Sequence, residues 1–283
     1  MSNPREAAFN AACLRAQSAP TAARQARCFE NNAATVMGIR FPNRLGIAAG
    51  FDKHGQLGRA AAVLGFGCIE LGSCTLNQAA LLHCSAAAAH NNSAILGINL
   101  NIHDAALPEL AQQLRGTLAA ISKVADYISI NIYDTDSQID LAQIIARLHR
   151  IQQQQTSLLQ AHNTSLPIVV KLHTTLGTET FSSTIKTLRS APLAGIAIAF
   201  DLGKPVTARD FAFWQNPAAQ ALACQQLAFY RSDIHADIAL IAVGGVRHAE
   251  DYQARLQAGA DLVQLHNALV FNGPDVAHTI LAS

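Results

Sequence analysis

Charge is scarce in this sequence. Only 14% of its 283 residues are Asp, Glu, Lys or Arg, and they balance to a formal net charge of +1 with no block of like sign. A phosphate backbone is gripped by a clustered basic face, so the composition excludes nucleic acid as a partner. Long apolar runs are lacking too. None approaches the roughly 18 residues of a bilayer-crossing helix, which leaves only peripheral membrane contact to consider. The six cysteines (Cys13, Cys28, Cys68, Cys74, Cys84, Cys224) contain no CxxC pair and no metal-ligand spacing. With no secretory signal, they read as reduced thiols of a cytoplasmic protein.

Apolar residues, by contrast, make up half the chain, enough for a large core. The organising stretch is Asn43–Thr75. Its apolar run Leu45–Ala49 ends in Gly50, and the polar turn Phe51-Asp52-Lys53-His54-Gly55 follows. A helical segment, Gln56–Leu64, then leads to a second apolar run, Cys68–Leu71. Short buried strands alternating with helices argue a parallel sheet. The same rhythm continues through the strand candidates Ile95–Leu100, Tyr127–Ile132, Pro167–Leu172, Gly195–Phe200, Ile238–Gly245 and Leu262–His266. Helical segments lie near Ala105–Val124, Asp140–Ala161, Thr178–Ser190 and Ala249–Ala258. Eight strands fit a single (β/α)₈ TIM barrel better than an open sheet. Residues 1–35, alanine-rich, read as a short helical preface, and 36–283 as the barrel domain. The aromatics Phe211, Phe213, Trp214 and Phe229 are most simply core packing.

In such a barrel the C-terminal ends of the strands form the active-site face. That face collects Lys53, Ser73, Asn99, Asn131, Lys171, Phe200, Asp201, Gly244, Gly245, His266 and Asn267. A diglycine after the seventh strand suits a phosphate, and the two lysines suit the electron-rich part of the same ligand, so a phosphorylated small molecule is expected. Plainer readings stand beside these. Lys53 pairs with Asp52 as a structural ion pair, or Gly244-Gly245 is only a tight turn. His173, Asp134, Asp136 and Asp201 have no ligand spacing, and no metal is expected.

The segments AAGFDKHG, LGFGCIELGS, LGIN, YISINI, PIVVKL, IALIAVGGV and AGADLVQLHNALVFNGP, in that order over residues 36–280, resemble dihydroorotate dehydrogenase, and its quinone-linked, membrane-associated class in particular. The resemblance implies an FMN enzyme that oxidises dihydroorotate to orotate in pyrimidine biosynthesis. By the same match, FMN is contacted by Ala49, Gly50, Lys53, Ser73, Asn99, Asn131, Lys171, Gly244, Gly245, His266 and Asn267. Ser73 replaces a threonine, and His266-Asn267 replaces a tyrosine followed by serine or threonine. Lys53 and Asn131 touch substrate as well as cofactor. Lys171 faces the flavin's pyrimidine edge, where a cation stabilises the reduced anion.

The substrate shell departs from the family. Where the family reads approximately NxSSPNT, this chain reads Asn131-Ile132-Tyr133-Asp134-Thr135-Asp136-Ser137, so Asp134 holds the position of the serine base and Asp136 that of a substrate asparagine. Asp201 replaces part of a Thr-Asn-Thr run. The stretch 76–94 replaces a longer excursion with an arginine-rich turn, and Phe213-Trp214-Gln215-Asn216-Pro217 replaces a glycine-rich phosphate loop. Orotate is an anion, and each carboxylate about 4 Å away opposes it by up to roughly 4 kcal/mol at an effective dielectric of 20. Asp134 is then a stronger base than serine, its pKa raised by desolvation, or a loop residue capping the next helix. Asp136 and Asp201 bind substrate or are solvated caps. Three activities stay open: a dihydroorotate dehydrogenase, an FMN oxidoreductase for a non-anionic substrate, and a non-catalytic relative with a binding or assembly role. The acceptor is a quinone or another oxidant. The N-terminal stretch is shorter than the helical pair that forms the class's quinone tunnel, which speaks against that tunnel and leaves a cytoplasmic protein with at most peripheral contact at the inner membrane.

Overall fold

The computed structural model describes residues 3–19, 33–76, 94–102, 116–131, 141–162, 166–174, 178–188, 191–200 and 207–282. Its strands are β1 (Ala34–Val36), β2 (Ile39–Phe41), β3 (Leu45–Ile47), β4 (Cys68–Thr75), β5 (Ile95–Asn101), β6 (Tyr127–Asn131), β7 (Ile168–His173), β8 (Gly195–Ala199), β9 (Ala239–Val243) and β10 (Leu262–Leu265). The last eight close a barrel in the order β10-β3-β4-β5-β6-β7-β8-β9, with parallel pairing throughout. This is the (β/α)₈ architecture expected from the sequence.

Strand periodicity sorts the side chains into two layers. On β7, Ile168, Val170 and Leu172 join the core between strands and helices, while Val169 points with Tyr127, Ala197, Ala199 and Ile241 into the barrel. The barrel lining is mostly small, and glycines make room for larger neighbours. A Cβ on Gly97 would stand 2.3 Å from Cζ of Tyr127, and one on Gly46 would stand 2.2 Å from Sγ of Cys68. Tyr127 is therefore admitted by the absence of a side chain on the adjacent strand. The antiparallel β1–β2 hairpin, unexpected from the sequence, belongs to the same inner cluster: Phe41 is fully buried, 6.5 Å from the Tyr127 ring centroid.

Element bounds shift at several places. The second barrel strand runs on to Thr75, with a register irregularity between Gly72 and Cys74. The seventh stops at Val243, because Gly244 and Gly245 turn into the left-handed region at φ 83° and 73°. Gln56–Leu64 becomes a 3₁₀ helix, Gly58–Leu64. The stretch before Asp233 forms two helices, Ala208–Phe213 and Pro217–Asp233, each entered through a side-chain cap, Thr207 and Asn216. There the expected core packing holds only in part. Trp214 is buried, but Phe213, on the first helix, is 57% exposed; Phe229 is 48% exposed because Ala219, Ala223, Leu227 and Tyr230 occupy the inward face of the second helix. The N-terminal helix Pro4–Ser18 starts at Asn3, whose side chain accepts from the Arg5 N–H. No helix of the described residues is long and apolar enough to cross a membrane.

Candidate active site at the barrel mouth

The turn after β3 is built by one carboxylate. Asp52, fully buried, accepts from the backbone N–H groups of Gly55 (2.8 Å), Gln56 (3.1 Å), Leu57 (3.0 Å) and Gly58 (2.9 Å). It thereby caps the 3₁₀ helix, whose first amides have no partner of their own kind. This corrects the alternative in which Asp52 pairs with Lys53. Lys53 is half-buried and makes no hydrogen bond or ion pair with a described residue. Its neighbours are fixed: Gly50 donates to the Gly72 carbonyl (2.6 Å), and Arg5 of the N-terminal helix donates to the carbonyls of Gly50 (3.0 Å) and Phe51 (3.1 Å). Phe9 meets Phe51 edge-on at 5.6 Å, so that helix packs directly on the turn carrying Ala49, Gly50 and Lys53.

Across the mouth, polar side chains link neighbouring strands. The Ser73 hydroxyl donates to Oδ1 of Asn99 (2.5 Å), and Nδ2 of Asn99 donates to Oγ of Ser129 (3.1 Å). Ser129 was not anticipated; its place in YISINI, two residues before Asn131 and so on the same face, was the available signal. Asn131, the last residue of β6, is the register partner of Lys171, two residues before the end of β7. Lys171 forms no hydrogen bond or ion pair with a described residue, and burial pushes its pKa down, countered in part by the Glu70 carboxylate. A cation held there with the Glu70 carboxylate near but in no direct ion pair suits an electron-rich ligand. Burial raises the Cys74 thiol to about 11, which keeps it neutral at physiological pH and unsuited to nucleophilic work.

Below Lys171 lies a polar cluster that sequence reasoning missed. Glu70 is fully buried, and its Oε1 accepts from the Tyr127 hydroxyl (3.1 Å) and from Nε2 of Gln264 (3.0 Å). The alternation Cys68, Glu70 on one face of an apolar strand marks the residue as inward-facing.

On the opposite side, His266 and Asn267 follow β10 and touch each other, Nδ1 to Oδ1 at 3.0 Å. Gly50 is seated against the His266 ring; a Cβ there would lie 3.6 Å from Nε2. The Gly244 N–H donates to the Gln264 carbonyl (2.9 Å), so this amide serves the barrel rather than facing outward. Gly245 carries the Trp214 ring at a distance where a Cβ would meet it at 3.0 Å, and its carbonyl accepts from Nε2 of Gln220 (2.7 Å). Nine expected site residues (Lys53, Ser73, Asn99, Asn131, Lys171, Gly244, Gly245, His266 and Asn267) thus line one end of the barrel, together with Ala49 and Gly50. Asp134, Asp136 and Asp201 lie outside the described residues. Among the described residues no three His, Cys, Asp or Glu side chains group as metal ligands.

Comparison with known proteins agrees with this fold. The family model "Dihydroorotate dehydrogenase" matches residues 78–283. "Dihydroorotate dehydrogenase (quinone)" of Dichelobacter nodosus is 30% identical over 284 residues, covering 85% of this chain and 83% of that protein. The protein of the same name from Saccharophagus degradans is 27% identical over 280 residues, covering 84% and 82%. Among solved structures, that of the Eimeria tenella enzyme in complex with ferulenol superposes with a TM-score of 0.75 over 97% of this chain and 89% of that one, at 16% identity.

Proposed function

The chain belongs to the dihydroorotate dehydrogenase family, and from that premise we propose that it is an FMN-dependent oxidoreductase acting on a CH–CH bond, with dihydroorotate as substrate and orotate as product in pyrimidine biosynthesis. The observation that carries the reading is Lys171: a half-buried ammonium that makes no hydrogen bond or ion pair with a described residue, at the mouth shared with Ser73, Asn99 and Asn131. Residues 36–283 are the FMN-binding unit in this reading, and 1–35 a helical preface to it.

FMN, when bound, supplies a hydride acceptor. Ala49, Gly50, Lys53, Ser73, Asn99, Asn131, Lys171, Gly244, Gly245, His266 and Asn267 are the residues that would hold it. The side chains divide the remaining work. Lys171 offers positive charge where negative charge develops on reduction. Lys53, free of Asp52, offsets the substrate carboxylate, and Asn131 orients the substrate. Asp134, in the family base's position, removes the proton from the carbon beside the one that gives up hydride; a carboxylate does this well once desolvation raises its pKa toward the working pH. Asp136 and Asp201 complete the substrate shell. The electron acceptor is a quinone, as the names of the relatives state for those proteins. A lipid-soluble acceptor fits a cytoplasmic protein in peripheral contact with the inner membrane.

One observation favours a second reading. Three carboxylates at positions where the family carries serine, asparagine or threonine suit a neutral or cationic substrate better than an anion. The test is an absorption spectrum of the purified protein followed by anaerobic dihydroorotate. Flavin bands that bleach, and that stay unbleached in Asp134→Asn, support the first reading. Bands that remain oxidised in the wild type support the second. A protein that takes up no FMN refutes both and leaves a non-catalytic relative.

A further inference from the structure

We propose that Arg247 is the residue that binds the terminal phosphate monoester of the flavin nucleotide, a cation standing in for a cradle of backbone amides; this rests on the flavoprotein reading above. The turn after β9 fixes the Arg247 backbone from two sides. Its N–H donates to Oδ2 of Asp251 (2.9 Å), and its carbonyl accepts from Nδ2 of Asn272 (3.3 Å). The side chain lines one small pocket together with Gly244, Gly245, His266 and Asn267, the turn expected to take phosphate. Within that pocket the guanidinium lies 4.9 Å above the centre of the Phe211 ring, which in turn stacks on Phe271 at 4.9 Å and 22°. This aromatic shelf orients a planar cation without neutralising it.

Two observations point to an anion-binding role. Arg247 Nε is buried and has no hydrogen-bond partner, and Arg247 forms no ion pair with a described carboxylate. A guanidinium left this way costs free energy unless an anion completes it, and its forked donors match phosphate oxygens. In addition, the Gly244 amide is already committed to the Gln264 carbonyl, and Trp214 covers Gly245. The diglycine turn therefore has one amide fewer to offer, beside the very pocket that Arg247 lines.

The test compares FMN with riboflavin, which lacks the phosphate, by titration against the fluorescence of Trp214. This is the single tryptophan of the chain and lines the same pocket. Wild type is expected to bind FMN at least about tenfold more tightly than riboflavin, with a preference that shrinks as salt rises. Arg247→Ala should weaken FMN by roughly ten- to a hundredfold while riboflavin affinity stays within about twofold, and Arg247→Lys should restore part of the loss. Equal weakening of both ligands, or undiminished FMN binding in Arg247→Ala, overturns the assignment and marks the residue as structural. Wild type that binds both ligands equally well overturns the phosphate role alone. Wild type that binds neither overturns the flavoprotein reading and this inference with it.

Discussion

Asp52 is the residue on which the placement of Lys53 depends, and Asp52→Asn measures that dependence. The wild-type carboxylate holds four buried or half-buried N–H groups, two on each oxygen. Asparagine keeps one acceptor oxygen and turns the other into an NH₂ facing two donors. Two amides, those of Leu57 and Gly58 in one amide orientation, lose their acceptor. A buried donor left unsatisfied costs about 1–3 kcal/mol, and bonds to a charged acceptor lie at the upper end. Allowing for fraying at the start of the 3₁₀ helix, the expected loss is about 3–5 kcal/mol. At about 2–4 °C per kcal/mol for a domain of this size, the midpoint of thermal unfolding should fall by roughly 6–20 °C. Lys53→Met is the control. With no hydrogen bond or ion pair to a described residue, it should leave the midpoint within about 2 °C of wild type. If Asp52→Asn melts with the wild type, or if the two variants lose equal stability, the carboxylate is serving the lysine and the capping argument fails.

Two further perturbations report on the mouth. Burial lowers the pKa of Lys171 in the folded chain, so between that lowered value and the ordinary lysine value of 10.5 the unfolded chain binds more protons and stability from this group rises with pH. Flavin-free Lys171→Met should therefore melt above the wild type at neutral pH, with the gap closing as pH approaches 10.5; a variant that melts lower at neutral pH contradicts this. Gly245→Ala places a Cβ 3.0 Å from the Trp214 ring at a residue with φ 73°. It should cost about 1–3 kcal/mol and shift Trp214 emission to the red, as the ring leaves its buried seat. Unchanged emission and stability would show that the ring does not rest on the glycine.

The barrel was legible because a parallel strand buried on both faces writes itself as a short β-branched run, as in PIVVKL and GIAIAF, and because glycines end three of the runs, at Gly50, Gly72 and Gly244-Gly245. The mouth residues followed from topology alone, since strand ends of a (β/α)₈ barrel share one face. What the sequence hid was pairing. Asp52 and Lys53 are adjacent in the chain, and adjacency suggests an ion pair, but four amides converging on the carboxylate outcompete the lysine. Glu70 was masked by the apolar run around it, although Gly46 and Gly97, isolated glycines within strands, signal close approach by large neighbours such as Tyr127. Phe229 carried no sign of exposure, because Ala219 and Ala223, with Leu227 and Tyr230, proved sufficient for the inward face of its helix.

The central claim is that this mouth oxidises dihydroorotate. The most direct measurement is formation of orotate from dihydroorotate by the FMN-loaded protein with a soluble quinone or dye acceptor, followed in wild type and in Lys53→Met. The account predicts orotate production by the wild type, reduced by at least about tenfold in the variant if the lysine offsets the substrate carboxylate as proposed. FMN-loaded wild type that yields no orotate at saturating dihydroorotate would contradict it.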